Sequence, residues 1–235
     1  MNIKLQYTSK SVLLASLFAF LAVAVGCKKD DNNNPQPTAT AKVAFLNGVF
    51  GSDSLDLFVD TKKANSKLLG FGDHLAYLSV TVGERAFEIK DKDEKSIAKK
   101  SFKTEKDNDY SILASNSADG KTFELIQIAD DLTAPTGDKA KIRLVHLSPD
   151  AGKLNLASGE TVLAENISYK GASLYKEVDA KKTSFEIVDA DAEETILNVE
   201  GLDLAKGKIY TIWVSGLQDP EDQGEALKAR IFTNK

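Results

Sequence analysis

From Ala41 onward the chain alternates apolar and polar residues with a period of two, in short runs broken by turn formers. Leu55, Leu57 and Val59 are interleaved with Asp56, Phe58 and Asp60, and Leu78, Val80 and Val82 with Ser79 and Thr81. Gly83 then marks a turn, after which Phe87 and Ile89 alternate with Glu88 and Lys90. Tyr110, Ile112 and Ala114 form a further run, joined through an Asp119-Gly120 hairpin turn to Phe123, Leu125 and Ile128. Successive side chains of a strand point to opposite faces, so this pattern predicts half-buried strands. No window of helical length carries an apolar stripe with a 3.6-residue period. Short strands separated by turn residues predict an all-β fold built as sandwiches.

The pattern then recurs. Lys42-Val43-Ala44-Phe45 is echoed by Lys141-Ile142-Arg143-Leu144, and Leu55-Asp56-Leu57 by Leu154-Asn155-Leu156. Tyr77 matches Tyr175, Phe87-Glu88-Ile89 matches Phe185-Glu186-Ile187, Tyr110-Ser111-Ile112-Leu113 recurs as Tyr210-Thr211-Ile212-Trp213, and Ile128 is matched with Ile231. The offset stays near one hundred residues, which is a whole domain and far longer than a solenoid repeat. Two tandem sandwich domains are therefore expected, residues 41–137 and 138–235, meeting near Thr136-Gly137-Asp138.

The region ahead of Ala41 has another character. Lys4 and Lys10 precede an uncharged apolar run from Val12 to Val25, too short for a membrane-spanning helix, which needs about 20 residues, and suited to a signal peptide. The run closes in Ala24-Val25-Gly26-Cys27 and turns polar at once, which resembles the lipobox of bacterial lipoproteins. That resemblance implies cleavage after residue 26 and acylation of Cys27, with the membrane as partner through this anchor. More than one acyl chain is needed for stable attachment, and the lipoprotein modification supplies that. Cys27 is the only cysteine, so it has no disulfide partner within the chain. Lys28, Lys29, Asp30 and Asp31 resemble the charged export tags of some outer-membrane lipoproteins that reach the cell surface; a plain tether start is the alternative. Residues 27–40, with Pro35 and Pro37 in a polar run, are expected to form a flexible tether.

A second resemblance covers residues 41–235. Arg143-Leu144-Val145-His146-Leu147-Ser148-Pro149-Asp150-Ala151 resembles the opening signature of the domain of unknown function 4397 family. Ala205 to Thr211 resembles its penultimate strand, and Asp130 to Pro135 its inter-repeat connector. Two tandem copies behind a lipoprotein signal are what the resemblance implies, as immunoglobulin-like antiparallel sandwiches with no known catalytic activity. The first copy departs from the signature, reading Asn47-Gly48-Val49-Phe50-Gly51-Ser52 where the second reads His146 to Ala151.

Charge and chemistry narrow the function further. The formal net charge is -5, and because residues 1–26 carry two lysines and no acid, removing them leaves -7. A mildly acidic chain lacks the basic face a nucleic-acid partner needs. His146, Ser148 and Asp150 could be imagined as part of a catalytic triad, but no G-x-S-x-G elbow occurs and a turn held by side-chain-to-amide bonds fits better. Two separated histidines and one cysteine spent on lipid make no zinc site, so neither metal nor cofactor is expected. Asp189 to Glu194 and Asp219 to Glu225 are the richest calcium candidates, with solvated turn acids as the plainer account. The matched tyrosines are expected in the core with their hydroxyls tied to backbone, and Trp213 beside them. Phe50, Phe71, Tyr169 and Trp213 have no aromatic match in the other copy and could supply an aromatic binding patch. The expected function is a non-enzymatic outer-membrane lipoprotein, a binding or spacer module for a protein or glycan partner. A carboxylate-based glycan hydrolase and a calcium-stiffened adhesin segment are the alternatives.

Overall fold

A computed structural model describes residues 38–235; Cys27 and the tether before Thr38 lie outside the described residues. Two strand sets follow one another along the chain. The first is β1 (Thr40–Asn47), β2 (Asp56–Val59), β3 (Lys62–Lys63), β4 (His74–Thr81), β5 (Gly83–Lys90), β6 (Ser96–Thr104), β7 (Asp109–Asn116) and β8 (Phe123–Asp130). The second is β9 (Lys139–Leu147), β10 (Leu154–Ser158), β11 (Thr161–Ile167), β12 (Lys176–Asp179), β13 (Lys182–Asp189), β14 (Thr195–Asp203), β15 (Ile209–Ser215) and β16 (Lys228–Thr233). Among the described residues the one helical element is a 3-10 turn at Gln223–Glu225, and no helix is long and apolar enough to cross a membrane.

Each half is a sandwich of two four-stranded sheets with the same strand order. The first pairs β4-β1-β7-β8 with β3-β2-β5-β6, and the second pairs β12-β9-β15-β16 with β11-β10-β13-β14. The sheets are not wholly antiparallel, since β1 runs parallel to β7 and β9 parallel to β15. In addition, the first two strands of each half lie in opposite sheets, whereas the constant-type immunoglobulin order keeps them together.

The outer sheets follow the period-two pattern, with Phe87 and Ile89 of β5 and Phe185 and Ile187 of β13 fully buried while their neighbours are exposed in part. The inner sheets do not. Nearly every residue of β1, β7, β9 and β15 is buried, because both faces of these sheets are covered. Val43, Phe45 and Ile112 fill the first core, and Ile142, Leu144, Ile212 and Val214 the second. The alternate positions, Ala44, Leu46, Leu113, Val145, Leu147 and Trp213, meet with Phe232 in a third cluster between the halves. The described chain is thus four sheets stacked through three cores.

Pairing register corrects one detail of the repeat. Ser111 faces Ile128 and Thr211 faces Phe232, so the counterpart of Ile128 is Phe232 and not Ile231. A slip of one residue exchanges the faces of a strand. Ile231 belongs to the second core, while Ile128 and Phe232 both point into the cluster between the halves.

Because β1, β7, β9 and β15 run alongside one another, the turns that follow them gather at one end of the stack. Gly48 packs against both the Ala114 carbonyl and the Leu147 side chain, and the Tyr169 hydroxyl reaches Ser115 (2.9 Å) across the two halves. The opposite end holds Thr40, Asp109, Asp130 and the carboxy-terminal Lys235.

Candidate functional site

The same register that brings Ala44, Leu113 and Trp213 between the halves also carries polar residues there. Ser111 and Thr211 occupy matched positions on β7 and β15, and both are fully buried. Opposite them stand Asp130 and Arg143, whose side chains are 0% and 1% exposed and pair at 2.7 Å. The connections close into a ring. Arg143 Nε donates to Thr211 Oγ1 (3.0 Å), which donates to Asn234 Oδ1 (2.7 Å). Asn234 Nδ2 donates to the Tyr77 hydroxyl (2.9 Å), which donates to the Asp130 carboxylate. Ser111 Oγ donates to Asp130 (2.7 Å) and accepts from Arg143 Nη2 (3.2 Å), while the Tyr175 ring lies 4.5 Å from the guanidinium.

Tyr77 and Tyr175 are repeat counterparts, yet their hydroxyls bond side chains rather than the backbone expected from the sequence. Tyr210 does follow that expectation, accepting from the Ala205 amide (3.0 Å). A charge buried without a partner costs several kcal/mol, and here each ion has its opposite and further hydrogen bonds. The ring therefore acts as an ionic and hydrogen-bonded clasp between the halves. Its outer side opens on a cleft of about 540 Å³ bounded by Lys42, Tyr77, Asp109, Thr133 and Lys235. Burial raises the Asp109 carboxyl there, with Lys42 opposing and Asp130 reinforcing the shift.

Burial, opposed by Arg143 and reinforced by Asp130, pushes the Tyr175 hydroxyl up to about 12, and burial followed by the Asp130 charge raises Tyr77 in the same direction. An unfolded tyrosine ionises near pH 10, as a rough reference value. Between roughly pH 10 and 12 the unfolded chain loses these protons and the folded chain keeps them. Stability is accordingly full below the unfolded value and falls as the pH rises through the folded one. Urea midpoints are expected to hold up to about pH 9 and then drop steeply, with Tyr175→Phe showing a shallower drop. An equal slope in that variant contradicts the assignment.

The signature residues lie at the turn end. His146 is fully buried, with Nε2 donating to the Gly152 carbonyl (2.8 Å) and Nδ1 accepting from the Ser148 amide (3.3 Å). Burial holds its pKa below the ordinary imidazole range, so the ring is neutral. Ser148 Oγ donates to Asp150 Oδ1 (2.9 Å), and Asp150 Oδ2 accepts from the Gln218 and Asp219 amides (2.8 and 3.2 Å). The three residues come together, but every polar atom described is engaged in holding loops. In the first half Asn47 and Asn116 replace them, bonding the Val49 and Phe50 amides at 3.1 Å each.

The four unmatched aromatics do not form an exposed patch. Trp213 is fully buried, Phe50 nearly so, and Arg230 is sandwiched between the Phe71 and Trp213 rings at 4.4 and 5.3 Å. Tyr169 is used elsewhere, between Ser115, Asn116 and His146. In the calcium candidates, Asp189 Oδ1 accepts from the Asp191 and Ala192 amides (2.9 Å each) and Asp222 caps Gly224 (2.8 Å). Among the described residues no group of three or more His, Cys, Asp or Glu converges as a metal site would require.

Residues 41–157 match the family described as Domain of unknown function (DUF4397). The match runs through the first half and on through β9 and most of β10 of the second. No curated protein matches the chain significantly. Among solved structures, the C-terminal domain of AlgF from P. aeruginosa aligns at 20% identity over 41% of this chain and 99% of its own, with a TM-score of 0.32. A family CBM26 module of Eubacterium rectale Amy13K, in complex with maltoheptaose, aligns at 11% identity over 83% and 97%, TM-score 0.25. A candidate adhesin from Bacteroides ovatus aligns at 10% identity over 87% and 97%, TM-score 0.21.

Proposed function

We propose that this chain is a non-enzymatic lipoprotein of the outer membrane. In this reading it is held by acylated Cys27 and a flexible tether, and it carries its two sandwiches as one rigid body for binding a protein or glycan partner or for spacing one. Residues 138–235 are taken as a second, diverged copy of the DUF4397 domain, and the likeness to immunoglobulin domains is one of sandwich architecture. The observation that carries the reading is the closed Arg143–Asp130 ring between the halves. Independent beads on a string need no such clasp, whereas a module that holds its turn end in a fixed pose does. The engaged state of His146, Ser148 and Asp150 favours loop display over catalysis.

The anchor is tested with labelled palmitate in a Gram-negative host. Incorporation is expected into the wild-type chain and is expected to vanish in Cys27→Ser, with that variant released from the membrane fraction. Label retained without the thiol, or a variant still seated in the envelope, overturns the anchor. Proteinase treatment of intact cells decides the face: digestion places the sandwiches outside, and protection places them in the periplasm.

A further inference from the structure

At the end of β1 and near the end of β9 the two halves build one hydrogen-bond arrangement from different side chains. In the first half Asn47 Oδ1 accepts from the amide two residues on, that of Val49 (3.1 Å), while Nδ2 donates to the Leu69 and Gly70 carbonyls (3.1 and 3.0 Å). At the matched position of the second half, His146 Nδ1 accepts from the Ser148 amide (3.3 Å), again two residues on, and Nε2 donates to the Gly152 carbonyl (2.8 Å). Asn47 is 1% exposed and His146 0%. A carboxamide offers its acceptor and its donors at every ordinary pH. An imidazole offers both only while neutral, because a second proton has to enter at the accepting nitrogen. For His146 that nitrogen is Nδ1, so protonation would set its new N–H against the Ser148 N–H and bury a charge.

Charged and titratable groups approach this ring from several sides. Asp150 stands on the turn that follows, with Oδ1 held by Ser148 and Oδ2 by the Gln218 and Asp219 amides. Asp189, at the end of β13, lies behind Gly152, its carboxylate 3.3 Å from where a Cβ of that glycine would stand. The β11–β12 connection brings the Tyr169 ring edge-on at 6.1 Å and Lys170, whose ammonium is already paired with Glu124 of β8 at 2.8 Å. On β15 the neighbour is Val214. Burial holds the ring neutral, and the Gly152 and Ala151 carbonyls and the Asp150 charge oppose that effect without overcoming it. What the ring holds reaches beyond its own turn. Asp150 ties the turn to the β15–β16 connection at residues 216–227, twice the length of the six-residue hairpin at 117–122 in the first half.

We propose that His146 is a pH-sensitive latch for the turn end of the second half: a proton taken up at Nδ1 releases the 148–152 turn and, through Asp150, loosens the loop at 216–227. The first half, latched by Asn47, has no such response. The buried ring takes a proton less readily than a free one, so acid favours the opened turn. The latch is closed above about pH 6.5, the rough value for a free imidazole, and loosens as the pH falls below it. It operates whichever partner the module binds or spaces.

The test is hydrogen exchange of the full-length protein in lipid nanodiscs, followed by mass spectrometry at about pH 7 and about pH 5.5 with exchange times scaled for the intrinsic rate. If the opened ring titrates near 6.5 and the closed one stays neutral, opening increases by up to about eightfold between those conditions. Protection in the segments carrying Ser148 and Gln218–Asp219 is expected to fall severalfold. The segment carrying Val49 and Phe50, held by Asn47 and Asn116, is expected to keep its protection. His146→Asn, which installs the side chain used by the first half, is expected to remove the difference between the two pH values. Carboxylates are common to the wild type and the variant, so a difference between the two isolates the imidazole. Equal protection at both pH values in the wild type, or an equal loss in the first half, overturns the latch, and both are read without any variant. A loss that persists in a folded His146→Asn protein overturns it as well. None of these outcomes touches the anchor, which the palmitate label tests separately.

Discussion

Replacing Arg143 with alanine is expected to lower the stability of the described unit by about 3–5 kcal/mol, because Asp130 is left charged, buried and without its cation. Asp130→Ala is expected to cost a similar amount for the reciprocal reason. For a unit of this size each kcal/mol corresponds to roughly 2–4 °C in melting temperature, so either variant should melt about 6–20 °C lower. The pair is coupled, and Arg143→Met combined with Asp130→Leu should lose far less than the two single losses together. Thermal melts of the four proteins decide this. Additive losses would mean that the two side chains, 2.7 Å apart, do not depend on one another.

Trp213→Ala is the second large effect, expected to cost about 3–5 kcal/mol. Trp213 is fully buried between the halves and stacks under Arg230, so truncation opens a cavity facing both inner sheets. Trp213→Phe should cost less, since a ring remains and the indole N–H, buried without a hydrogen-bond partner among the described residues, is removed. As the only tryptophan, Trp213 should emit at the blue end of its range in the native protein and shift red when the halves part. Equal melting temperatures for the wild type and Trp213→Ala would place this residue outside any tight interface.

The outer strands were readable because one face of each sheet meets solvent. Glu88 and Lys90 mark the wet face of β5 as plainly as Phe87 and Ile89 mark the dry one. The inner strands hide their second burial. Ser111, Thr211, Arg143 and Asp130 look like surface positions in a period-two pattern, and only the partner sheet makes them interior. Side-chain polarity then misleads, since a buried polar residue in a hydrogen-bonded and ionic ring has the same letter as one in water. The tyrosine repeat was visible, but the partners of the Tyr77 hydroxyl lie 53 and 157 residues away and no local pattern encodes them.

The signature motif divides in the same way. That Ser148 and Asp150 belong to one turn follows from their spacing and the intervening proline. That Asp150 also holds a loop 68 residues further on required the fold. The difference between a six-residue hairpin and its longer counterpart is plain in the sequence once the strands are aligned.

The central claim is that the two sandwiches form one body through the ring at Arg143 and Asp130. Differential scanning calorimetry of the full-length protein in nanodiscs tests it most directly. One endotherm is expected, with calorimetric and van't Hoff enthalpies equal, and it should split into two in Arg143→Ala. Two separate transitions in the wild-type protein, or a calorimetric enthalpy near twice the van't Hoff value, would contradict it.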